Sequence, residues 1–227
     1  MLVPLPTGVS LQLELTSPEP VSSQRQNSLA VLLHPWSWLG GQMHDPVLSL
    51  LARLLKQHGY YIIRFNSRGV GSSTGRSSFT GLSEGEDLTA VVQWSLGQIS
   101  NVGSVVLIGY SHGGLIASLH PVLGQGINTS HVLLSYPLSP RGWLTMFHSN
   151  IYQRKLEELA REERSNILII YGDSDEFTGA TKYREWAAMV EREGGGRVSV
   201  VAVEGGSHFW AGEGGAEMGK AICDWLS

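Results

Sequence analysis

Hydrophobic positions along the chain follow two alternating rhythms. Val9, Leu11, Leu13 and Leu15 recur at every second place, which predicts a half-buried edge strand over 9–15. Residues 29–33 form a short unbroken apolar run, the pattern of a strand covered on both faces. Val47, Leu50, Leu51, Leu54 and Leu55 then share one helical face. Asp45 is placed to cap that helix, Pro46 takes its first position and Gly59 stops it. The alternation continues with strands over 60–65, 105–108, 132–135, 167–171 and 198–203. Between them the spacing predicts helices over about 84–99, 113–123 and 151–164. Thr178 is placed to cap a further helix on which Tyr183, Trp186, Ala187 and Val190 share a face. A closing helix carries Met218, Ala221, Ile222, Trp225 and Leu226. The stretch 151–164 alternates charges around a thin seam of Leu156, Leu159 and Ala160, and reads as a solvated helix. Polar stretches at 17–28, 66–83 and 137–150 read as loops.

Strands alternating with helices imply an α/β fold: a mostly parallel, doubly wound sheet with helices on both faces. In such sheets ligands bind beyond the carboxyl ends of the strands, so the loops that follow strands are where chemistry is sought. With no internal repeat, linker or low-complexity tract, one domain over 1–227 is expected.

Composition narrows the function. Of 227 residues, 42% are hydrophobic, enough apolar material to offset chain entropy and exclude disorder. No apolar run reaches the ~18 residues of a membrane span. Residues 1–16 lack the basic and apolar regions of a signal peptide, so a cytoplasmic protein is expected. Sixteen basic against twenty acidic side chains give a net charge of −4, which argues against a nucleic-acid partner. Cys223 is the one cysteine, leaving no intrachain disulfide and no thiolate metal cluster. No histidine pair has ligand spacing, so no metal is expected.

The strand over 105–108 runs into Gly109-Tyr110-Ser111-His112-Gly113, a G-x-S-x-G sequence between a strand and a helix. A nucleophilic serine there must be lifted above the sheet on a sharp turn, and side chains at 109 and 113 would collide with the neighbouring strand and helix. The bland alternative is a plain glycine-rich strand-to-helix turn. A serine hydroxyl is a weak nucleophile without a base, and the base needs a carboxylate to fix its tautomer. Both groups follow in order. The strand over 167–171 leads into Asp173, Asp175 and Glu176, and the strand over 198–203 leads into His208. The order Ser, Asp, His is that of the α/β-hydrolase fold.

The chain resembles the α/β-hydrolase superfamily, in particular small bacterial and fungal hydrolases with little or no cap. The resemblance is carried by residues 34–41 (HPWSWLGG), 64–73 (RFNSRGVGSS) and the Ser111 turn, within about 29–210. It implies a catalytic triad of Ser111, Asp175 and His208, with Asp175 at the usual family placement three residues beyond Gly172. Asp173 and Glu176 stay open as alternative acids. Asp173 is expected to bond loop amides and Glu176 to be solvated. His208 is the expected base, and an aromatic after it is similar to the family pattern.

An oxyanion needs two donors. One expected donor is the backbone N–H of His112. The other comes from the loop after Leu33, where the family often has His-Gly and this chain has His34-Pro35. Proline has no N–H, so the donor falls to Trp36. His34 is expected to hold this loop through hydrogen bonds rather than act in catalysis. Trp38, Trp143, Phe147 and Phe209 lie in or beside the same loops and are candidate substrate-binding residues. Only about 30 residues separate the strands over 132–135 and 167–171, which implies a minimal cap.

The expected function is therefore a serine hydrolase that cleaves carboxylic esters or thioesters of small-molecule acyl substrates, with no cofactor. The same triad also serves peptidases, acyltransferases and carbon–carbon bond hydrolases, and fold alone does not separate these. A binding module with an inert triad is the non-enzymatic alternative. The glycine-rich stretch 69–75 departs from the dinucleotide spacing and lacks a Walker lysine, so it reads as a turn beside the cleft.

Overall fold

A computed structural model describes residues 1–19, 26–78, 80–138 and 149–227. Eight strands form one sheet: β1 (Leu2–Pro4), β2 (Ser10–Thr16), β3 (Asn27–Leu33), β4 (Tyr60–Phe65), β5 (Val102–Tyr110), β6 (Asn128–Leu134), β7 (Ile167–Gly172) and β8 (Val198–Val203). Their order across the sheet is β1-β2-β4-β3-β5-β6-β7-β8. From β4 to β8 every neighbouring pair is parallel, while β2 pairs antiparallel with both β1 and β4. Among the described residues six α-helices connect or follow them: α1 (Pro46–Gln57), α2 (Leu82–Gln98), α3 (His112–Ala117), α4 (Ser149–Arg161), α5 (Ala180–Gly194) and α6 (Gly212–Leu226).

The period-two rule sorts each central strand between two cores. Leu29, Val31 and Leu33 of β3 join Val105 and Leu107 of β5 in a core shared with Leu88, Val91, Leu156, Tyr183 and Val190 of α2, α4 and α5. Ala30, Leu32, Val106 and Ile108 point the other way, onto Leu48, Leu51 and Leu55 of α1 and Met218 and Ile222 of α6. Burial on both faces explains the unbroken apolar runs, and the fold is the doubly wound α/β sheet the pattern predicts.

Several local features depart from expectation. Strand β2 is not the edge, because the short β1 pairs outside it; three residues ending in a proline leave no readable period. Helix α3 stops at Ala117 rather than continuing to 123. The Ser118 hydroxyl takes the Leu115 carbonyl (2.8 Å), and Pro121 cannot continue the ladder and disfavours helix at His120. Thr178 does not cap α5, whose N-cap is Gly179. The Thr178 amide donates instead to Asp175 Oδ1 (2.9 Å), so this residue still belongs to the preceding loop. Helix α4 is charged on one side only; Tyr152, Leu156, Leu159 and Ala160 are buried. Among the described residues no helix is long and apolar enough to cross a membrane.

Candidate active site

Strand β5, at the middle of the sheet, delivers Ser111. Its backbone sits at φ 53°, ψ −119°, a sparsely populated conformation for a residue with a side chain. Two backbone bonds hold it there: Ser111 N–H donates to the Leu134 carbonyl, and Gly114 N–H donates to the Ser111 carbonyl, both 2.8 Å. The flanking glycines are required by proximity. A Cβ at 109 would stand 2.2 Å from the Gly113 oxygen, and a Cβ at 113 would stand 2.4 Å from the Leu33 oxygen. The turn is thus wedged between the end of β3 and the start of α3, as the G-x-S-x-G argument requires.

At the far side of the sheet, the loop after β7 grips the loop after β8. Gly172 touches Gly206 backbone to backbone. Asp173 Oδ1 accepts the Gly205 amide (2.8 Å), and Ser174 N–H donates to the Gly206 carbonyl (3.0 Å). Asp175 is buried, and its Oδ1 accepts the amides of Phe177 and Thr178, both at 2.9 Å. Its Oδ2 accepts from His208 Nδ1 at 2.7 Å and from the Tyr183 hydroxyl at 3.4 Å. Burial alone would raise the Asp175 pKa. The bond and charge of His208, with the two loop amides, outweigh burial and hold the carboxyl below its ordinary range.

His208 Nε2 lies 3.1 Å from Ser111 Oγ. With Nδ1–H given to Asp175, Nε2 presents its lone pair to the hydroxyl. The backbone of His208 is also anchored. Its N–H donates to Glu176 Oε2 (2.8 Å), and its carbonyl accepts the Tyr110 hydroxyl (2.9 Å). Phe177 stands edge-on to the His208 ring, with centroids 4.6 Å apart and planes at 71°.

On the β3 side, His34 is buried and neutral: desolvation lowers its pKa against the opposing pull of the Pro35 carbonyl. Its Nδ1–H donates to Pro35 O (2.7 Å), and its Nε2 accepts the Ser67 amide (3.0 Å). It therefore ties the loop after β3 to the loop after β4. Trp36 follows, its carbonyl accepting the Leu39 and Gly41 amides at 3.1 Å. His112 opens α3, where a helical N–H has no intrahelical acceptor. Burial, then the neighbouring His34 imidazole, pushes the His112 imidazole down to about 4.

The structure brings Ser111, Asp175 and His208 into one hydrogen-bonded chain. Asp173 accepts the Gly205 amide and the Ser174 hydroxyl, and Glu176 is exposed yet bonded to the His208 loop rather than merely solvated. Trp38 stacks on Trp36 (5.8 Å, 6°) and is exposed, and exposed Phe209 meets Phe177 edge-on at 6.0 Å. Trp143 and Phe147 lie outside the described residues. Sequence reasoning does not single out Phe177 and Tyr110 as neighbours of His208; their adjacency to Asp175 and Ser111 is the available signal. A cavity of about 570 Å³ opens at the opposite edge of the sheet, among Ser28, Tyr60, Ser104, Asn128 and Arg164, and does not include the strand ends that carry Ser111 and His208.

A strained serine turn on the central strand, with acid and histidine loops following β7 and β8, defines a hydrolase of the α/β-hydrolase superfamily. Residues 7–126 match the family described as X-Pro dipeptidyl-peptidase (S15 family), and the chain belongs to that family. The matched segment contains Ser111 and ends before Asp175 and His208. An α/β serine hydrolase homologue from Coxiella burnetii superposes with a TM-score of 0.76 at 26% identity, covering 100% of this chain and 96% of that one. A lidless α/β serine hydrolase from Xanthomonas campestris gives 0.75 at 24% identity, covering 100% and 92%. The esterase Est1E from Butyrivibrio proteoclasticus, with ferulic acid bound, gives 0.79 at 18%, covering 100% and 97%; that likeness shows the fold. An uncharacterised protein of Rickettsia prowazekii is 26% identical over 200 residues, 87% of this chain and 78% of that protein.

Proposed function

We propose that this chain, acting as one domain, is a serine hydrolase of carboxylic esters or thioesters. The observation that carries the reading is the run Ser111 Oγ–His208 Nε2 (3.1 Å) and His208 Nδ1–Asp175 Oδ2 (2.7 Å). Ser111 Oγ attacks the acyl carbon while Nε2 takes its proton. Asp175 keeps the imidazole in the required tautomer and stabilises the imidazolium that forms. The oxyanion is received by the backbone N–H groups of His112 and Trp36. The imidazolium returns its proton to the leaving oxygen or sulfur. Water, activated by the same histidine, then releases the acid from the acyl-enzyme. Trp38 and Phe209 supply exposed apolar surface for the substrate.

The family match favours a second reading, in which the same residues cleave a peptide bond after proline. A rate panel separates the two: p-nitrophenyl acetate and butyrate, a thioester, and an Xaa-Pro p-nitroanilide, each with wild type and Ser111→Ala. Ester turnover that needs Ser111, with the anilide untouched, supports the esterase. Selective anilide cleavage transfers the assignment to peptidase. A wild-type protein inert to every substrate and to a fluorophosphonate probe returns the chain to a binding role.

A further inference from the structure

We propose that Glu176 is a positioning residue for the base: its carboxylate fixes the backbone of His208 so that the ring rests on Ser111. The inference rests on the hydrolase reading above and adds a residue to it.

The loop between β8 and α6 has few anchors near its tip. Gly205 is held by Asp173 and Gly206 by Ser174, on the β8 side. On the α6 side, Trp210 Nε1 donates to Ser135 Oγ (3.0 Å). Gly205 and Trp210 bracket the tip at φ 65° and 51°, so the chain turns sharply on both sides of His208. At the tip, the His208 N–H donates to Glu176 Oε2 (2.8 Å) and its carbonyl accepts the Tyr110 hydroxyl (2.9 Å). These bonds act from opposite sides, one from the acid loop and one from the strand that bears the nucleophile. Asp175 acts on the ring, fixing its rotation and tautomer, and not on the main chain of His208.

Glu176 is exposed, and neither core packing nor an ion pair among the described residues accounts for its placement. A carboxylate accepting a backbone amide is a charge-assisted bond, stronger than a neutral one. Adjacent Asp175 and Glu176 thus divide the work, the buried one on the ring and the exposed one on the main chain. A shift of about 1 Å at a reacting group lowers rates by up to roughly a hundredfold. An anchor on the residue that carries the reacting nitrogen acts on that distance directly.

The test uses the full chain and the variants Glu176→Ala and Glu176→Gln. It reads steady-state rates on the best ester, the rate of fluorophosphonate labelling at Ser111, and amide exchange at His208. Glu176→Ala is expected to lower kcat and the labelling rate roughly ten- to a hundredfold. KM stays within about twofold, since Glu176 makes no substrate contact in this account, and exchange at the His208 amide rises. Glu176→Gln keeps an acceptor oxygen and recovers most of both rates. Wild-type kcat and labelling in Glu176→Ala would overturn the proposal, as would a Gln variant no better than Ala. Failure of wild type to label at Ser111 is a different result: it overturns the hydrolase reading before any Glu176 variant is compared, and this role with it.

Discussion

Gly172 and Gly206 meet so closely that a Cβ on Gly172 would stand 1.9 Å from the Gly206 carbonyl oxygen. This contact sets the loop that bears Asp175 against the loop that bears His208. A methyl group there must push the two apart. Overpacking of this kind costs about 3 kcal/mol. In a chain of this size that is a fall of roughly 6–12 °C in Tm. Gly172→Ala is expected to show that loss together with a large fall in ester turnover. At Gly206 a Cβ meets atoms no nearer than 2.9 Å, and Gly206→Ala should be milder. Thermal melting and initial rates of both variants check the ranking; equal effects would contradict it.

Ser111→Ala removes the proposed nucleophile while leaving the turn in place. Turnover is expected to fall about 10⁴- to 10⁶-fold, with the melting temperature raised or unchanged because the strained turn keeps its backbone bonds. Rates on p-nitrophenyl butyrate and a melting curve decide it. Residual turnover within tenfold of wild type would contradict the assignment.

Asp173 and Asp175 are two residues apart, yet their variants should separate sharply. Asp175→Asn leaves the histidine free to adopt the wrong tautomer, an effect of about 10⁴-fold in kcat. Asp173→Asn keeps an oxygen for the Gly205 amide and should cost little more than a few-fold. Steady-state kinetics of the pair, measured side by side, make the comparison.

Acid should weaken the fold beginning near pH 6.5. His34, His112, His120 and His131 all have pKa values below the usual 6.5, chiefly because of burial, with His112 at about 4 and His131 at about 3. Between the ordinary value and the lowered one, the unfolded chain takes up protons that the folded chain refuses. Stability is therefore fully present above 6.5 and declines as pH falls, by up to about 1.4 kcal/mol per pH unit for each such histidine. Asp175, depressed below its usual 3.8, adds a further loss at still lower pH. Denaturant unfolding at pH 7.5 and 5.0 should give the lower stability at 5.0. A flat profile would contradict the burial of these rings.

Much of this was legible because the signals were local. Apolar alternation marked the central strands, and the G-x-S-x-G turn was readable because close approach demands glycine at 109 and 113. The order of Ser111, Asp175 and His208 followed from where strands end. What escaped notice depends on contacts far apart in sequence. Nothing near Glu176 indicates that its oxygen meets an amide 32 residues later. Leu119 and Val122 carry the apolar pattern past the end of α3, where Pro121 overrides it. Strand β1 has no signal of its own, because its pairing with β2, rather than its own three residues, makes it a strand.

The sheet order has an operational consequence. Ser111 springs from β5, which has parallel neighbours on both sides, whereas His208 follows β8, the outermost strand of the array. Borders of a sheet open at lower free energy than its middle. On warming, the histidine arm should therefore loosen while the seryl bend is still intact. Loss of activity would then run ahead of loss of circular dichroism, and cooling would restore it for as long as the interior strands had not parted.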